Sequence, residues 1–129
     1  MIRRGSPIIR KKHMSFWKNK IVLVTGGHGF VGTHVVKMLE KMNPQEIFAP
    51  TRADYDLTVE REVESMFQQH RPNIVIHLAG KVGGIAANKS EPAAFFYDNL
   101  MMGTLVMEYA QRHDTEKVVA LAAGCGYPL

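Results

Sequence analysis

The sequence predicts an α/β fold, a three-layer sandwich built around a parallel sheet. Two features carry this reading. Short β-branched runs alternate with segments of helical apolar spacing, and a cluster of glycines sits at the first junction between the two textures. Alternation of strand and helix implies parallel strands joined by crossovers, with helices on the faces of the sheet.

The elements follow in order. Ile21-Val22-Leu23-Val24 reads as a buried strand that stops at Thr25-Gly26-Gly27. From Phe30 to Met42, Val31, Val35, Met38, Leu39 and Met42 recur at helical spacing. Asn43-Pro44 ends that helix, because proline cannot continue it and restricts the residue before it. Glu46 to Ala49 is a second, short strand. Thr58 to His70 reads as a helix capped by Thr58, with Val59, Val63, Met66 and Phe67 on one face. Asn73 to Leu78 is a third strand, nearly all apolar. Ala79 to Glu91 is rich in Gly, Ala and Asn and reads as a loop. Pro92 to Arg112 is a long helix, and Lys117 to Ala122 a fourth strand. The expectation is four strands and three helices, in the sheet order 3-2-1-4, with the sheet truncated after its fourth strand and an edge left open.

Composition bounds the function classes. The chain has 129 residues, the size of one domain, with 46% hydrophobic and 22% charged residues, as in a soluble globular protein. The net charge of +4 is unevenly placed. Residues 1–20 hold seven of the sixteen Lys/Arg and no acid, so the remainder sets nine bases against twelve acids and is net acidic. Residues 1–20 are therefore expected to be a basic, disordered leader, and residues 21–129 the folded domain. Met14 and the residues after it look like an ordinary protein start. No apolar run approaches the roughly 18–20 residues of a membrane span, and the basic leader runs into no secretory apolar core. A basic tail can bind nucleic acid, but the domain is acidic and carries no nucleic-acid-binding motif, so neither nucleic acid nor membrane is expected as a partner. One cysteine, Cys125, forms no internal disulfide, and no Cys/His cluster has zinc spacing. No metal site is expected, and the location expected is the cytoplasm.

The glycines carry the first chemistry. Gly26-Gly27-His28-Gly29-Phe30-Val31-Gly32 places glycines at 26, 29 and 32, with a strand directly before and a helix directly after. In that setting Gly26 permits a tight turn, Gly29 lets the backbone approach a pyrophosphate, and Gly32 allows close packing of helix and sheet. The helix N-terminus then offers unpaired amides and the positive dipole end to the anion. This predicts a Rossmann-type domain binding NAD(P). Gly-Lys-Ser/Thr is absent, which excludes a P-loop nucleotide hydrolase. The spacing Thr-Gly-Gly-x-Gly-Phe-x-Gly resembles that of the extended short-chain dehydrogenase/reductase family, also called the NAD-dependent epimerase/dehydratase family.

The end of the second strand selects the cofactor. An acid there binds the ribose hydroxyls, whereas an arginine accommodates a 2′-phosphate. The sequence reads Ala49-Pro50-Thr51-Arg52-Ala53-Asp54, with no carboxylate at the strand end and Arg52 close behind. NADP is expected, with NAD the alternative. Asp56-Leu57 resembles the Asp-Leu pair beside the adenine in this family, although Asp54 and Asp56 could also simply begin the next helix. Ala79 and Gly80 leave room for the adenosine half. His77, within an apolar strand, reads as a satisfied core histidine, and His28 as a spacer in the phosphate loop. The expected cofactor contacts are Gly26, Gly27, His28, Gly29, Phe30, Val31 and Gly32; Thr51, Arg52, Asp56 and Leu57; and Ala79, Gly80, Lys81, Leu121, Ala122 and Ala123.

A more specific resemblance follows the third strand. Lys81-Val82-Gly83-Gly84-Ile85, then Ala87-Asn88, Pro92-Ala93, Phe95, Tyr97 and Asn99, is similar to the GDP-L-fucose synthases within that family. The resemblance runs from about Ile21 to Pro128. It implies NADPH, a cytoplasmic homodimer, and conversion of GDP-4-keto-6-deoxymannose to GDP-L-fucose by epimerisation at C3 and C5 followed by reduction at C4. A keto group acidifies the neighbouring C–H bonds, and positioned acids and bases exploit this. The family's Ser-Ser-Cys-x-Tyr-Pro segment falls on Ala123-Gly124-Cys125-Gly126-Tyr127-Pro128, so Cys125 matches the acid/base cysteine. Two departures put the reduction in doubt. Ala123 stands where the family has its catalytic serine, and Tyr-x-x-x-Lys is absent: Tyr55, Tyr97 and Tyr109 are followed four positions on by Val59, Met101 and His113. The chain is therefore expected to be the cofactor-binding N-terminal part of a longer parent. The alternatives are a non-catalytic NAD(P)-binding module and a nucleotide-sugar epimerase/dehydratase of other specificity.

Overall fold

A computed structural model describes residues 16–122. Ala123 and Cys125, and residues 1–15 of the expected leader, lie outside the described residues. The elements are β1 (Ile21–Thr25), α1 (Phe30–Met42), β2 (Glu46–Phe48), α2 (Glu60–His70), β3 (Ile74–His77), α3 (Ile85–Ser90), α4 (Pro92–Arg112) and β4 (Lys117–Ala120).

All strand pairs are parallel, as expected, but the order is β2-β1-β3-β4 and not 3-2-1-4. Burial explains the difference. Ile74 and Val75 of β3 are almost wholly buried, as in a strand set inside the sheet and covered on both faces. β3 lies between β1 and β4, with Val75 opposite Leu23 on one side and Val118 on the other. β2 has three residues, none fully buried, and suits an edge.

Strand alternation sorts the core into two layers. Val22, Val24 and Ile74 turn to the α1 side and pack with Leu39, Val35 and Val36. Leu23 and Val75 turn to the other side, against Val63, Met66 and Phe67 of α2 and Leu105, Val106 and Tyr109 of α4. Helices therefore cover both faces, giving the three layers expected. The α1 helix has the bounds read from its periodicity and ends at Asn43, whose left-handed backbone (φ 54°) turns its amide onto the Glu40 carbonyl.

Three local expectations are corrected. Thr58 does not cap α2, which begins at Glu60. Its amide and hydroxyl both donate to Asp56 Oδ1, at 3.0 and 2.7 Å, while Glu62 reaches back to accept the Asp56 amide at 2.6 Å. The segment 79–91 is not all loop, because Ile85–Ser90 forms a short helix. Asn88 closes its start by donating to the carbonyls of Gly83 and Gly84. The leader's last residues belong to the domain: Trp17 packs on the α1-side core, and Lys20 pairs with Glu116 at 2.6 Å. Among the described residues, no helix is long and apolar enough to cross a membrane.

Candidate functional site

The strand order creates a switch point. From β1 the chain passes outward to β2, then returns over β1 to β3, with α1 and α2 on opposite faces of the sheet. Ligands of open α/β sheets bind at such a crevice, outside the carboxyl ends of the strands. An open cleft of about 580 Å³ lies there, of a size that holds a cofactor.

Its lip is the glycine turn. Gly26 adopts φ +70°, and a side chain there would meet the Ala79 amide nitrogen at 2.7 Å. A Cβ on Gly32 would run into the Gly26 carbonyl oxygen, so the bare α-carbon is what lets α1 start against the strand end. At Gly29 the backbone is ordinary (φ −76°), and a Cβ would touch only the Gly26 carbonyl, at 3.3 Å. The space before Gly29 is left open by its hydrogen. Gly27 does not line the cleft; it faces backwards, where a Cβ would come 2.7 Å from that of Ala49.

The start of α1 is left uncapped. Gly29 makes no side-chain cap, the first turn carries no acid, and the amides of Phe30, Val31 and Gly32 meet no acceptor among the described residues. These residues line the cleft. Three free amides at the positive end of a 13-residue helix, under a lip without side chains, fit a pyrophosphate. His28 is more than a spacer: its Nε2 lies 2.9 Å from the Ala49 carbonyl and ties the lip to the end of β2.

The wall beside β2 carries the expected Thr51, Arg52, Asp56 and Leu57, joined by Pro50, Tyr55 and Thr58. Thr51 gives both its amide and its hydroxyl to Asp54 Oδ2, at 2.8 and 2.7 Å. These bonds hold the Asp54 carboxyl below the usual carboxylate range. Arg52 Nε and Nη2 donate to Asp56 Oδ2 at 3.1 and 2.9 Å. Asp56 is likewise held low, chiefly by the Thr58 hydroxyl and amide, with Arg52 adding to them.

The opposite wall follows β3. Ala79, Gly80 and Lys81 line it, together with Leu78 and Val82. Asn99 of α4 holds this stretch by two bonds: the Lys81 amide donates to Asn99 Oδ1 (2.7 Å), and Asn99 Nδ2 donates to the Lys81 carbonyl (3.0 Å). Lys81 Nζ pairs with Asp98 at 3.0 Å and lies over the Phe95 ring. Leu121 completes the lining, whereas Ala122 is exposed and takes no part in it. Below the wall His77 is a satisfied core histidine, as read from the sequence, with Nδ1 2.7 Å from the Thr25 hydroxyl.

The residues missed by sequence reading, Pro50, Tyr55, Thr58, Leu78, Val82, Asp98 and Met102, share no motif. Asp98 and Met102 come from α4, and one signal was available for them. They lie four residues apart, on one helical face that also passes Asn99. Among the described residues, no cluster of three or more His, Cys, Asp or Glu is placed to hold a metal ion.

Comparison with known proteins gives a consistent result. The family model described as the NAD dependent epimerase/dehydratase family matches residues 22–129. The GDP-L-fucose synthase 1 of Arabidopsis thaliana is 39% identical over 111 residues, covering 86% of this chain and 34% of that protein. The GDP-L-fucose synthase of Escherichia coli K12 is 35% identical over 107 residues, covering 83% of this chain and 33% of that protein. A GDP-mannoheptose C4 reductase from Campylobacter jejuni, solved with NADP bound, superposes with a TM-score of 0.80 at 30% identity, covering 86% of this chain and 35% of that one. The chain spans about a third of the length of the curated relatives it matches.

Proposed function

The chain belongs to the NAD dependent epimerase/dehydratase family, and on that footing we propose that it supplies the dinucleotide-binding part of an NADP-dependent nucleotide-sugar epimerase/reductase of the GDP-L-fucose synthase kind. The observation that carries the proposal is the uncapped start of α1, where three amides without acceptors among the described residues line a cleft at the switch point of the sheet.

In this reading the amides of residues 30–32 bind the pyrophosphate, and Gly29 lets it approach. Arg52 takes the 2′-phosphate; Thr51, Asp56 and Leu57 border the adenosine; Ala79, Gly80, Lys81 and Leu121 line its passage toward the substrate. The bound cofactor would supply hydride. NADP is favoured by Arg52 and by a relative solved with NADP bound, and NAD remains the alternative. Cys125 is the proposed acid/base for epimerisation, because it falls on the family's cysteine. Ala123 provides no hydroxyl for the sugar carbonyl, and no Tyr-x-x-x-Lys pair occurs in these 129 residues. The chain alone is therefore expected not to turn over GDP-4-keto-6-deoxymannose, the substrate proposed for the whole protein.

The same reading carries a cytoplasmic homodimer for the whole protein. Phe96, Leu100 and Met107 form an exposed apolar stripe on α4, and Gly103 lies between them with open space before it. An apolar stripe of this kind marks a docking face. A non-catalytic NAD(P)-binding module is the second reading, and Ala123 is the residue that favours it.

Calorimetric titration of the 129-residue chain with NADPH and NADH tests the proposal. Binding of NADPH that weakens in Arg52→Ala supports it. A folded sample that binds neither cofactor overturns it.

A further inference from the structure

Among the described residues, four charged side chains of lysine, arginine or aspartate line the cleft, and they are already matched: Arg52 with Asp56, and Lys81 with Asp98. The cleft is thus not a cationic pocket. On the wall beside β2 the pairing engages both Thr51 and Arg52. The Thr51 amide and hydroxyl are given to Asp54, and the Nε and Nη2 of Arg52 are given to a single oxygen of Asp56. Asp56 itself is anchored. Its other oxygen accepts two bonds from Thr58, and its amide is held by Glu62. The Arg52 side chain is 75% exposed and that of Asp56 25%, so the carboxylate is the fixed member and the guanidinium the movable one.

We propose that Asp56 is a specificity-determining residue of the cofactor site, which restrains Arg52 and limits how strongly the site prefers a 2′-phosphorylated dinucleotide over one with a free 2′-hydroxyl. The inference rests on the reading of the cleft as a dinucleotide site. A 2′-phosphate is recognised best by the two-pronged fork of an arginine. To present the Nε edge of that fork, Arg52 must leave Asp56 and strand a carboxylate beside an incoming anion. To stay paired, it must bind the phosphate through its remaining N–H groups, with its charge already offset. Either course weakens the phosphorylated cofactor. A free 2′-hydroxyl carries no charge and is less sensitive to how the pair's charge is offset.

The test is equilibrium binding of NADPH and NADH, at one fixed salt concentration, to the full chain and to the variants Asp56→Asn, Asp56→Ser, Arg52→Ala and Arg52→Ala/Asp56→Asn. Asparagine and serine both keep an acceptor for Thr58, and thermal midpoints identify the variants that fold. Where either Asp56 variant folds, NADPH affinity is expected to rise relative to NADH by about fivefold, the scale of one screened ion pair. Asp56 also borders the adenosine that both cofactors share, so the readout is the ratio of the two affinities and not either one alone. With Arg52 already replaced by alanine, the Asp56 change should give a smaller gain, only that of removing the carboxylate's direct repulsion, and the difference between the two gains marks the part that acts through Arg52. An unchanged or lowered NADPH-to-NADH preference in the folded variants overturns the inference while leaving the dinucleotide site intact. A wild-type chain that is folded and binds neither cofactor overturns the reading of the cleft, and the inference with it.

Discussion

Thr25 and His77 meet at the carboxyl ends of β1 and β3, with Thr25 Oγ1 2.7 Å from His77 Nδ1 and both side chains buried. The same hydroxyl accepts the Ala79 amide at 3.3 Å, so one side chain pins together the two strand ends between which the cleft opens. A neutral ring, its Nδ1 accepting from the Thr25 hydroxyl, satisfies both groups. Burial accordingly holds the imidazole below its ordinary value of 6.5. The unfolded chain then binds this proton more readily than the folded one. The stability His77 contributes is fully present above pH 6.5 and is lost as the pH falls through the lower folded value. Thermal midpoints followed from about pH 7.5 to about pH 5 should fall more steeply in the wild type than in His77→Gln. Parallel curves would remove His77 from the account.

The glycines of the lip should separate by mechanism. Gly26→Ala places a side chain at φ +70° against Ala79, and Gly32→Ala drives one into the Gly26 carbonyl. Each is expected to cost about 2–4 kcal/mol in urea unfolding. Gly84 has φ −67° and nothing within 4 Å of an added Cβ. Its alanine variant should stay within about 0.5 kcal/mol of wild type.

Asn99 holds the Lys81 backbone by two bonds from another element. Asn99→Ala should cost about 1 kcal/mol and speed amide exchange across residues 79–83. Cofactor affinity should fall with it, since this stretch is a wall of the cleft. Unaltered exchange in that segment would mean that the clamp does not hold the wall.

On α4, Leu100→Glu and Met107→Glu place charges on the exposed apolar stripe. If this stripe pairs copies of the chain, sedimentation is expected to give a dimer for the unaltered chain and a monomer for these variants, with stability changed by no more than about 0.5 kcal/mol because neither side chain is buried. A wild-type chain that sediments as a monomer would mean that this stripe does not pair copies of the 129-residue chain.

Much of this molecule was legible residue by residue. The α1 helix came out with its bounds, because an apolar period of 3.6 and the Asn43-Pro44 stop agree. Gly26, Gly29 and Gly32 were legible because strand, turn and helix each leave a local mark. Strand order was not, since periodicity says that Ile74 and Val75 are buried but not beside which strand. The short helix at Ile85–Ser90 was hidden by its Gly/Ala/Asn composition and buries nothing. Thr58 was misread as a cap because Asp56, two residues earlier, takes both its hydrogens. The pairings of Arg52 with Asp56 and Lys81 with Asp98 lay outside any motif, and they set the charge of the cleft.

The most direct test of the dinucleotide site is to follow the backbone amides of the isotopically labelled chain while NADPH is added. Saturable shifts are expected, led by Phe30, Val31 and Gly32, accompanied by Arg52 and by Ala79 to Lys81, and abolished by Gly29→Val, which fills the open approach while leaving φ in an ordinary region. Shifts that spare residues 30–32, or that survive the Gly29 substitution unchanged, would contradict the claim that the start of α1 holds the pyrophosphate.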